Sequence, residues 1–423
     1  MRALEVWLAG RLVGAIRETR RGARFVYSEE IYEESPGMPV LSLCLPAKRR
    51  PFGESRTRNW FEGLLPEGGR RDRACRRLGL DSLDWVGLLS EIGWECAGAV
   101  QVFPEGRTAV HSGSYEPISH ADLAALLSNA SLGDLLEGSG SFRMSLGGFQ
   151  DKFCVRMPAL PKDAARVPAE AVCLTLGDAA STHILKPEPS RYPGLAESEA
   201  WAMTASAHAA RCARVALLEL GDCPATLVVE RYDRESDRHG DVKRLHQEDA
   251  CQALGLPVSA KYANEMAPKG DDPTYAAIAS LIDRYAIDVE GEKVELLRQL
   301  VVNMALGNWD AHAKNMSFLY RESGQPAVAP LYDVVPIAEA EPRTTLLSMR
   351  VAGSLDPASV DGTALLREAT SWGLTANEAR SVIKDCLEVL REGLDAAAAL
   401  YPMAAGRHET ATLMRMERFN RMG

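Results

Sequence analysis

The segment GNWDAHAKN sets Asp310 and Asn315 five residues apart in a polar stretch just after Gly307. A carboxylate and an amide in that arrangement suit phosphoryl transfer. One group orients an attacking hydroxyl, while oxygen-bearing side chains hold Mg2+ against the phosphates. Downstream, Met316, Phe318 and Tyr320 alternate, RESGQ reads as a turn, and AVAPLYD reads as a returning strand that ends on Asp333. The spacing predicts a hairpin that carries Asp333 back beside Asp310 and Asn315.

The order of parts upstream fits the same reaction. The pair Gly147 and Gly148 lets backbone N–H groups approach phosphate without Cβ obstruction. Lys186 ends a strand-like run, where a fixed ammonium neutralises phosphate charge. Glu199 follows on an Ala-rich stretch that is helical by propensity, placed to pair with that lysine. The run Val229, Glu230, Arg231, Tyr232 lies where a strand leaves its sheet for helical segments, the place for a hinge against adenine. Each part alone has a plainer reading. Asp310 and Asn315 suit a solvated loop, Lys186 a surface position before Pro187, and Glu199 a solvated helix face. Asp333 suits a turn cap, Ser145 a flexible linker, and His312 a loop anchor rather than a base. Their succession in one order argues for chemistry.

Those residues need elements to hold them. Strands are predicted around Leu4–Leu8, Leu12–Ile16, Arg24–Tyr27, Leu41–Leu45 and Gly98–Phe103, with short helices at Trp60–Leu65 and Ser82–Leu89, together a compact α+β unit. Pro104–His120, rich in Gly, Ser, Pro and Thr, reads as a linker, and Ala121–Leu127 as a helix. Five strand-like runs follow: Phe153–Met157, Val172–Leu176, His183–Leu185, Val215–Leu220 and Thr226–Val229. From about His246 the spacing turns helical, as in Val294, Leu297, Val301 and Met304, ended by Gly307.

Composition sets outer bounds. With 423 residues, 46% of them hydrophobic and 25% charged, the chain is long enough for two or three packed units and excludes wholesale disorder. The formal charge of −10 opposes unaided docking on nucleic acid, so DNA contact needs a partner. No apolar run is long enough to span a bilayer, and Arg2, Glu5 and Arg11 break any secretory core at the N-terminus, so the expected place is the cytoplasm with no membrane partner. Nine scattered cysteines without metal-ligand spacing read as reduced thiols.

The blocks SLGGFQDKF, THILKPE, LVVERYDR, RLHQEDACQALGL, GNWDAHAKN and PLYDVVP resemble the successive signatures of HipA-type serine/threonine kinases, toxins of type II toxin-antitoxin modules. SLCLP, NWFEGLLPEG and GWECAGAV are similar to that family's N-terminal subdomain. The resemblance implies an α+β, two-lobed protein-kinase-like fold. An N-terminal α+β subdomain would span 1–105, a small β-rich nucleotide lobe 118–240, and a mostly helical C-terminal lobe 241–423. It implies ATP and Mg2+ as cofactors, Asp310 as catalytic aspartate, and Asn315 and Asp333 as metal ligands. Gly147, Gly148, Phe149, Gln150, Asp151 and Lys152 would form the phosphate-side loop, Lys186 with its partner Glu199 the phosphate lysine, and Glu230 and Tyr232 the hinge. His312 and Lys314 would line the nucleotide site, and Ser145 would be an inactivating autophosphorylation site. The implied partners are a HipB-like helix-turn-helix antitoxin, operator DNA through that antitoxin, and a protein substrate such as an aminoacyl-tRNA synthetase. Trp309, and Arg350 in place of a lysine, depart from the pattern. The alternatives are a catalytically silent nucleotide-binding corepressor scaffold, and a small-molecule or lipid-headgroup kinase, against which the lack of a basic amphipathic segment argues.

Overall fold

A computed structural model describes the chain apart from residues 108–112, 129–151, 163, 222, 265–271, 322–323, 341–344 and 423. The first unit is an antiparallel sheet of order β3-β2-β1-β4, from β1 (Ala3–Leu8), β2 (Arg11–Thr19), β3 (Gly22–Tyr27) and β4 (Val100–Pro104). Leu4 and Val6 alternate inward, as their spacing predicts. Helices α1 (Glu29–Glu34), α2 (Glu54–Glu62), α3 (Gly68–Leu78) and α4 (Trp85–Ile92) accompany the sheet. Its core joins Phe25 and Phe61, with ring centroids 5.4 Å apart, to buried Trp60 and Trp85. Helix α4 starts three residues later than the apolar pattern suggests because Asp84 caps it, accepting from Gly87 N at 2.9 Å. Helix α2 starts earlier than expected, at Glu54, through a polar turn that carries no hydrophobic signal.

The predicted strand at Leu41–Leu45 is not one. Its backbone is satisfied by side chains instead of a ladder: Leu41 N donates to Tyr27 Oη at 3.1 Å, Tyr27 Oη donates to Leu45 O at 2.5 Å, and Leu43 N donates to Glu248 at 2.9 Å. The three leucines are buried because the segment is wedged between units, and not because it alternates across a sheet.

The second unit is a mixed sheet of order β5-β8-β6-β9-β11-β10-β7. Its strands are β5 (Ser114–Pro117), β6 (Phe153–Arg156), β7 (Arg166–Pro168), β8 (Cys173–Leu176), β9 (His183–Pro187), β10 (Val215–Glu219) and β11 (Thr226–Glu230). The five predicted strands are all present. The predicted linker is corrected in part, since Ser114–Pro117 pairs antiparallel with β8 and belongs to the sheet. Helix α5 (His120–Ser128) buries Leu123, Leu126 and Leu127 against this sheet's core. Helix α6 (Leu195–Ala209) packs on β10 and β11 and on the C-terminal helices, with Trp201 fully buried.

Beyond the paired strands β12 (Arg234–Ser236) and β13 (Val242–Arg244), the third unit is mostly helical. A small sheet joins β14 (Gln247–Asp249), β15 (Ser317–Tyr320) and β16 (Pro326–Val328). The helices are α7 (Ala250–Leu254), α8 (Tyr275–Tyr285), α9 (Val289–Leu306), α10 (Ile337–Ala340), α11 (Gly362–Ser371), α12 (Ala376–Leu400) and α13 (Pro402–Phe419). Helix α9 runs through the core and stops at Gly307, whose φ of 72° lets the chain reverse into the loop that carries Asp310 and Asn315.

Two buried polar knots tie the units together. Glu248 accepts from Ser42 Oγ at 2.6 Å, Leu43 N at 2.9 Å, Trp60 Nε1 at 2.9 Å and Tyr320 Oη at 2.5 Å. Glu95 pairs with Arg231 at 3.0 Å, Arg234 at 3.2 Å and Arg244 at 2.7 Å, and Asp233 pairs with Arg231 at 2.8 Å. Replacing either hub would strand several buried donors or charges. Among the described residues, no helix is long and apolar enough to cross a membrane.

Candidate active site

Lys186 is the penultimate residue of β9, and its side chain points into the space between the β-rich and helical units. It is 4% exposed and Glu199, on the first turns of α6, is 2% exposed, so neither is the surface residue that its local sequence also allows. Their charged ends meet at 2.6 Å. Asp333 completes the arrangement by pairing with Lys186 on its other side and with Lys152 at 3.5 Å. A lysine between two carboxylates forms a relay from helix to strand to loop.

The hairpin that delivers Asp333 forms, with Phe318 opposite Val328 and Tyr320 opposite Pro326. The returning strand is shorter than predicted. After Ala329 the chain leaves the hairpin and bonds to the segment before β10: Leu331 N donates to Arg211 O at 2.8 Å, and Ala213 N donates to Leu331 O at 2.9 Å. That detour aims Asp333 across at Lys186. Asp333 itself has φ of 53°, in the left-handed region that a non-glycine residue enters at a cost. Asn308, which sequence reasoning passed over, supports it by donating from Nδ2 to Asp333 O at 3.3 Å and to Asn303 Oδ1 at 2.8 Å.

Asp310 precedes a single turn (Ala313–Asn315) that ends on Asn315. Asn315 Nδ2 donates to Asp310 O at 3.3 Å, leaving the amide oxygen as its other end. The Asp310 carboxylate accepts from Ser348 Oγ at 3.4 Å, and Tyr262 lines the same cavity and acts to lower its carboxyl. Tyr262 and Ser348 carry no sequence signal. They reach Asp310 because Ala263 N donates to Ser348 O at 2.8 Å and Ser348 N donates to Trp309 O at 2.9 Å, lacing three remote segments together.

Asp310, Asn315, Asp333, Lys186, Glu199, Lys152, His312, Lys314, Glu230 and Tyr232 all line one cavity of about 370 Å3, within the range of small-ligand sites. Its apolar wall includes Ile184 and Val229, cross-strand partners on β9 and β11. Glu230 ends β11 and accepts from Leu160 N at 3.0 Å, while the Tyr232 hydroxyl bonds to Gln247. Lys314 is held by Asp249 at 2.6 Å and donates to Gly63 O at 3.0 Å. Ser145, Gly147, Gly148, Phe149, Gln150 and Asp151 lie outside the described residues.

The electrostatics separate the roles. Burial works to raise Asp333, but Lys152 and Lys186 outweigh it and hold the carboxyl well below its usual range. Burial pushes the Glu199 carboxyl up against the pull of Lys186. Burial also raises Asp310, opposed by Tyr262 and Lys261. His312 is pushed down to about 3, first by burial and then by Lys261, so it is neutral at physiological pH and donates no charge. A divalent cation is tested by the donor set. Among the described residues no three His, Cys, Asp or Glu side chains gather as a metal site. Mg2+ asks for less, one or two protein carboxylates with phosphate oxygens and waters completing its shell, and ionised Asp333 with the Asn315 amide oxygen fits that demand.

The chain is similar to known proteins along most of its length. Residues 4–103 match the family model "HipA N-terminal domain", and residues 144–394 match "HipA-like C-terminal domain". The chain is 35% identical over 386 residues to the Sinorhizobium fredii protein named "Putative kinase Y4mE", covering 90% of this chain and 86% of that one. It is 28% identical to the "Serine/threonine-protein kinase toxin HipA" of Shewanella oneidensis, over 74% of this chain and 71% of the relative. A solved Shewanella oneidensis complex of HipA, HipB and operator DNA superposes with a TM-score of 0.80 at 23% identity, covering 98% of this chain and 97% of that one.

Proposed function

This chain belongs to the HipA family, and from that premise we propose that it is an ATP- and Mg2+-dependent serine/threonine protein kinase that acts as the toxin of a toxin-antitoxin pair. One observation carries the reading: the Glu199–Lys186–Asp333 relay shares a cavity with Asp310 and Asn315. A strand lysine steadied by a helix carboxylate, beside two oxygen donors and a separate carboxylate, is the minimum set for moving a phosphoryl group.

The residues divide the work. Ile184 and Val229 offer an apolar slot for a purine, with Glu230 and Tyr232 at the hinge edge. Lys186 places fixed positive charge against the phosphates, and the residues 147–152 are assigned to the same end of the nucleotide. Asp333 and Asn315 would hold Mg2+, which when bound would further neutralise the phosphate charge. Asp310 accepts the hydrogen bond of an incoming Ser or Thr hydroxyl and aligns its oxygen with the terminal phosphorus. The oxygen–phosphorus bond forms as the bond to the ADP oxygen breaks, the hydroxyl proton passes to Asp310, and ADP departs with the electron pair. Lys314 anchors the loop through Asp249, and neutral His312 packs beside Tyr262 with ring centroids 5.1 Å apart.

By the family resemblance Ser145 is the proposed autophosphorylated residue, and a phosphate there would add about two negative charges. A small helix-turn-helix antitoxin of the HipB kind is the proposed partner. With a net charge of −10 the chain would meet operator DNA through that partner. An aminoacyl-tRNA synthetase is the proposed target, in the cytoplasm. The test is expression alone and with the adjacent helix-turn-helix protein. Growth arrest by the chain alone, relieved by the partner and lost in Asp310→Ala, supports toxin action. No arrest by the wild type contradicts it and favours a silent corepressor scaffold.

A further inference from the structure

Among the described cations of the cavity, Arg231 is committed to Glu95 and Asp233, and Lys261 is buried with no part in the mechanism above. Lys261 is 4% exposed and lines the same cavity as Asp310 and Asn315. Its backbone is built into the reacting loop, since Ala313 N donates to Lys261 O at 3.1 Å. Its charge is felt by both Asp310 and His312, which places the ammonium on the hydroxyl side of the site.

Its counter-ion comes from the N-terminal unit. Lys261 Nζ lies 2.8 Å from Glu67 Oε2, and Glu67 directly precedes α3. The contrast with Lys314 is informative. Lys314 pairs with Asp249, whose other oxygen caps α7 by accepting from Gln252 N at 2.9 Å, so that carboxylate is fixed by both oxygens. Glu67 makes no such use of its second oxygen, which is buried without a hydrogen-bond partner. Glu67 therefore does not hold Lys261 to a helix cap as Asp249 holds Lys314, and a terminal phosphate carries more charge and more acceptor oxygens than the carboxylate it would replace.

The geometry points to Lys261 as a further binding residue for the terminal phosphate of the nucleotide, with Glu67 as the counter-ion it exchanges; this rests on the kinase reading above. The N-terminal unit then contributes directly to nucleotide choice. ATP gains the Lys261 contact and ADP, one phosphate shorter, does not.

Calorimetry on the full chain with Mg2+ and either a non-hydrolysable ATP analogue or ADP tests this. Lys261→Met should weaken the analogue about tenfold and leave ADP within about twofold, the size expected for one charge-assisted contact. Glu67→Gln should tighten the analogue, and Lys261→Arg should fall between wild type and Lys261→Met. Both neutral variants break the same ion pair, so a purely structural latch would move them in the same direction. Equal losses of analogue and ADP in Lys261→Met, or weakened analogue binding in Glu67→Gln, overturn the inference. A wild-type chain that binds both nucleotides but phosphorylates no hydroxyl overturns the function proposed above and leaves this assignment standing. A chain that binds neither overturns both.

Discussion

Lys186→Met separates what the relay does for stability from what it does for chemistry. At the observed 2.6 Å and an effective dielectric of about 20, the Lys186–Glu199 attraction is about 6 kcal/mol, most of it offset by removing both ends from water. The net worth of the intact pair is therefore small, but removing one end is not. Glu199 is 2% exposed, and without its ammonium it keeps the desolvation cost, so the single variant should lose about 3–5 kcal/mol or take up a proton to escape it. Lys186→Met with Glu199→Leu puts apolar groups of similar bulk in place of both charges and should recover the Glu199 share of that loss, while Asp333 keeps Lys152 at 3.5 Å. Urea unfolding read from tryptophan fluorescence suits the measurement, because Trp201 is buried two residues from Glu199. Phosphoryl transfer should be absent from both variants. The reasoning is refuted if the double variant is no more stable than the single, or if either keeps wild-type transfer.

Asp310→Asn keeps the shape but loses the charge, and steady-state kinetics should show kcat reduced about 10²–10⁴-fold with ATP binding by calorimetry nearly unchanged. Transfer needs Asp310 ionised and burial has raised its carboxyl, so the rate should fall as pH drops through that raised value. His312, already neutral above about 3, should add no limb near pH 6.5, so a His312→Gln profile displaced between pH 6 and 8 would contradict this. Burial works to raise Glu95, but Arg234, Arg244 and Arg231 bring it down to about 2, so its stabilisation is present above the ordinary 4.5 and is lost as pH falls from there toward 2. Acid unfolding should accordingly be less steep in Glu95→Gln, which will also be less stable at pH 7. Glu248→Ala strands the donors of Ser42, Trp60 and Tyr320 and should cost about 3–5 kcal/mol, read by denaturant unfolding and by faster proteolysis between the first unit and the rest.

The strands that carry Lys186 and Glu230 were legible because they are short apolar runs, and α6 because its composition favours a helix. The partners Lys186 and Glu199 were legible from their order in the chain. What was hidden depends on long-range backbone bonds. Nothing in the alternation of Leu41, Leu43 and Leu45 shows that Glu248, two hundred residues on, will accept from Leu43 N, or that Tyr27 will serve the other two. Tyr262 and Ser348 reach Asp310 through the same kind of lacing, and Glu67 meets Lys261 across the boundary between units. The strand at Ser114–Pro117 was masked by turn-rich composition, since an edge strand with exposed faces needs no apolar pattern. Asp333 was foreseen at the end of a hairpin, but its orientation comes from the bonds of Leu331 to Arg211 and Ala213.

The most direct test incubates full-length wild type, Asp310→Ala and Asp333→Asn with γ-labelled ATP and Mg2+, and maps the labelled residue by mass spectrometry. Label on a serine of the wild type, at Ser145, and none on either variant is the predicted result. Equal label on wild type and Asp310→Ala, or no label on a wild type that binds ATP, would contradict the claim that these side chains form a phosphoryl-transfer site.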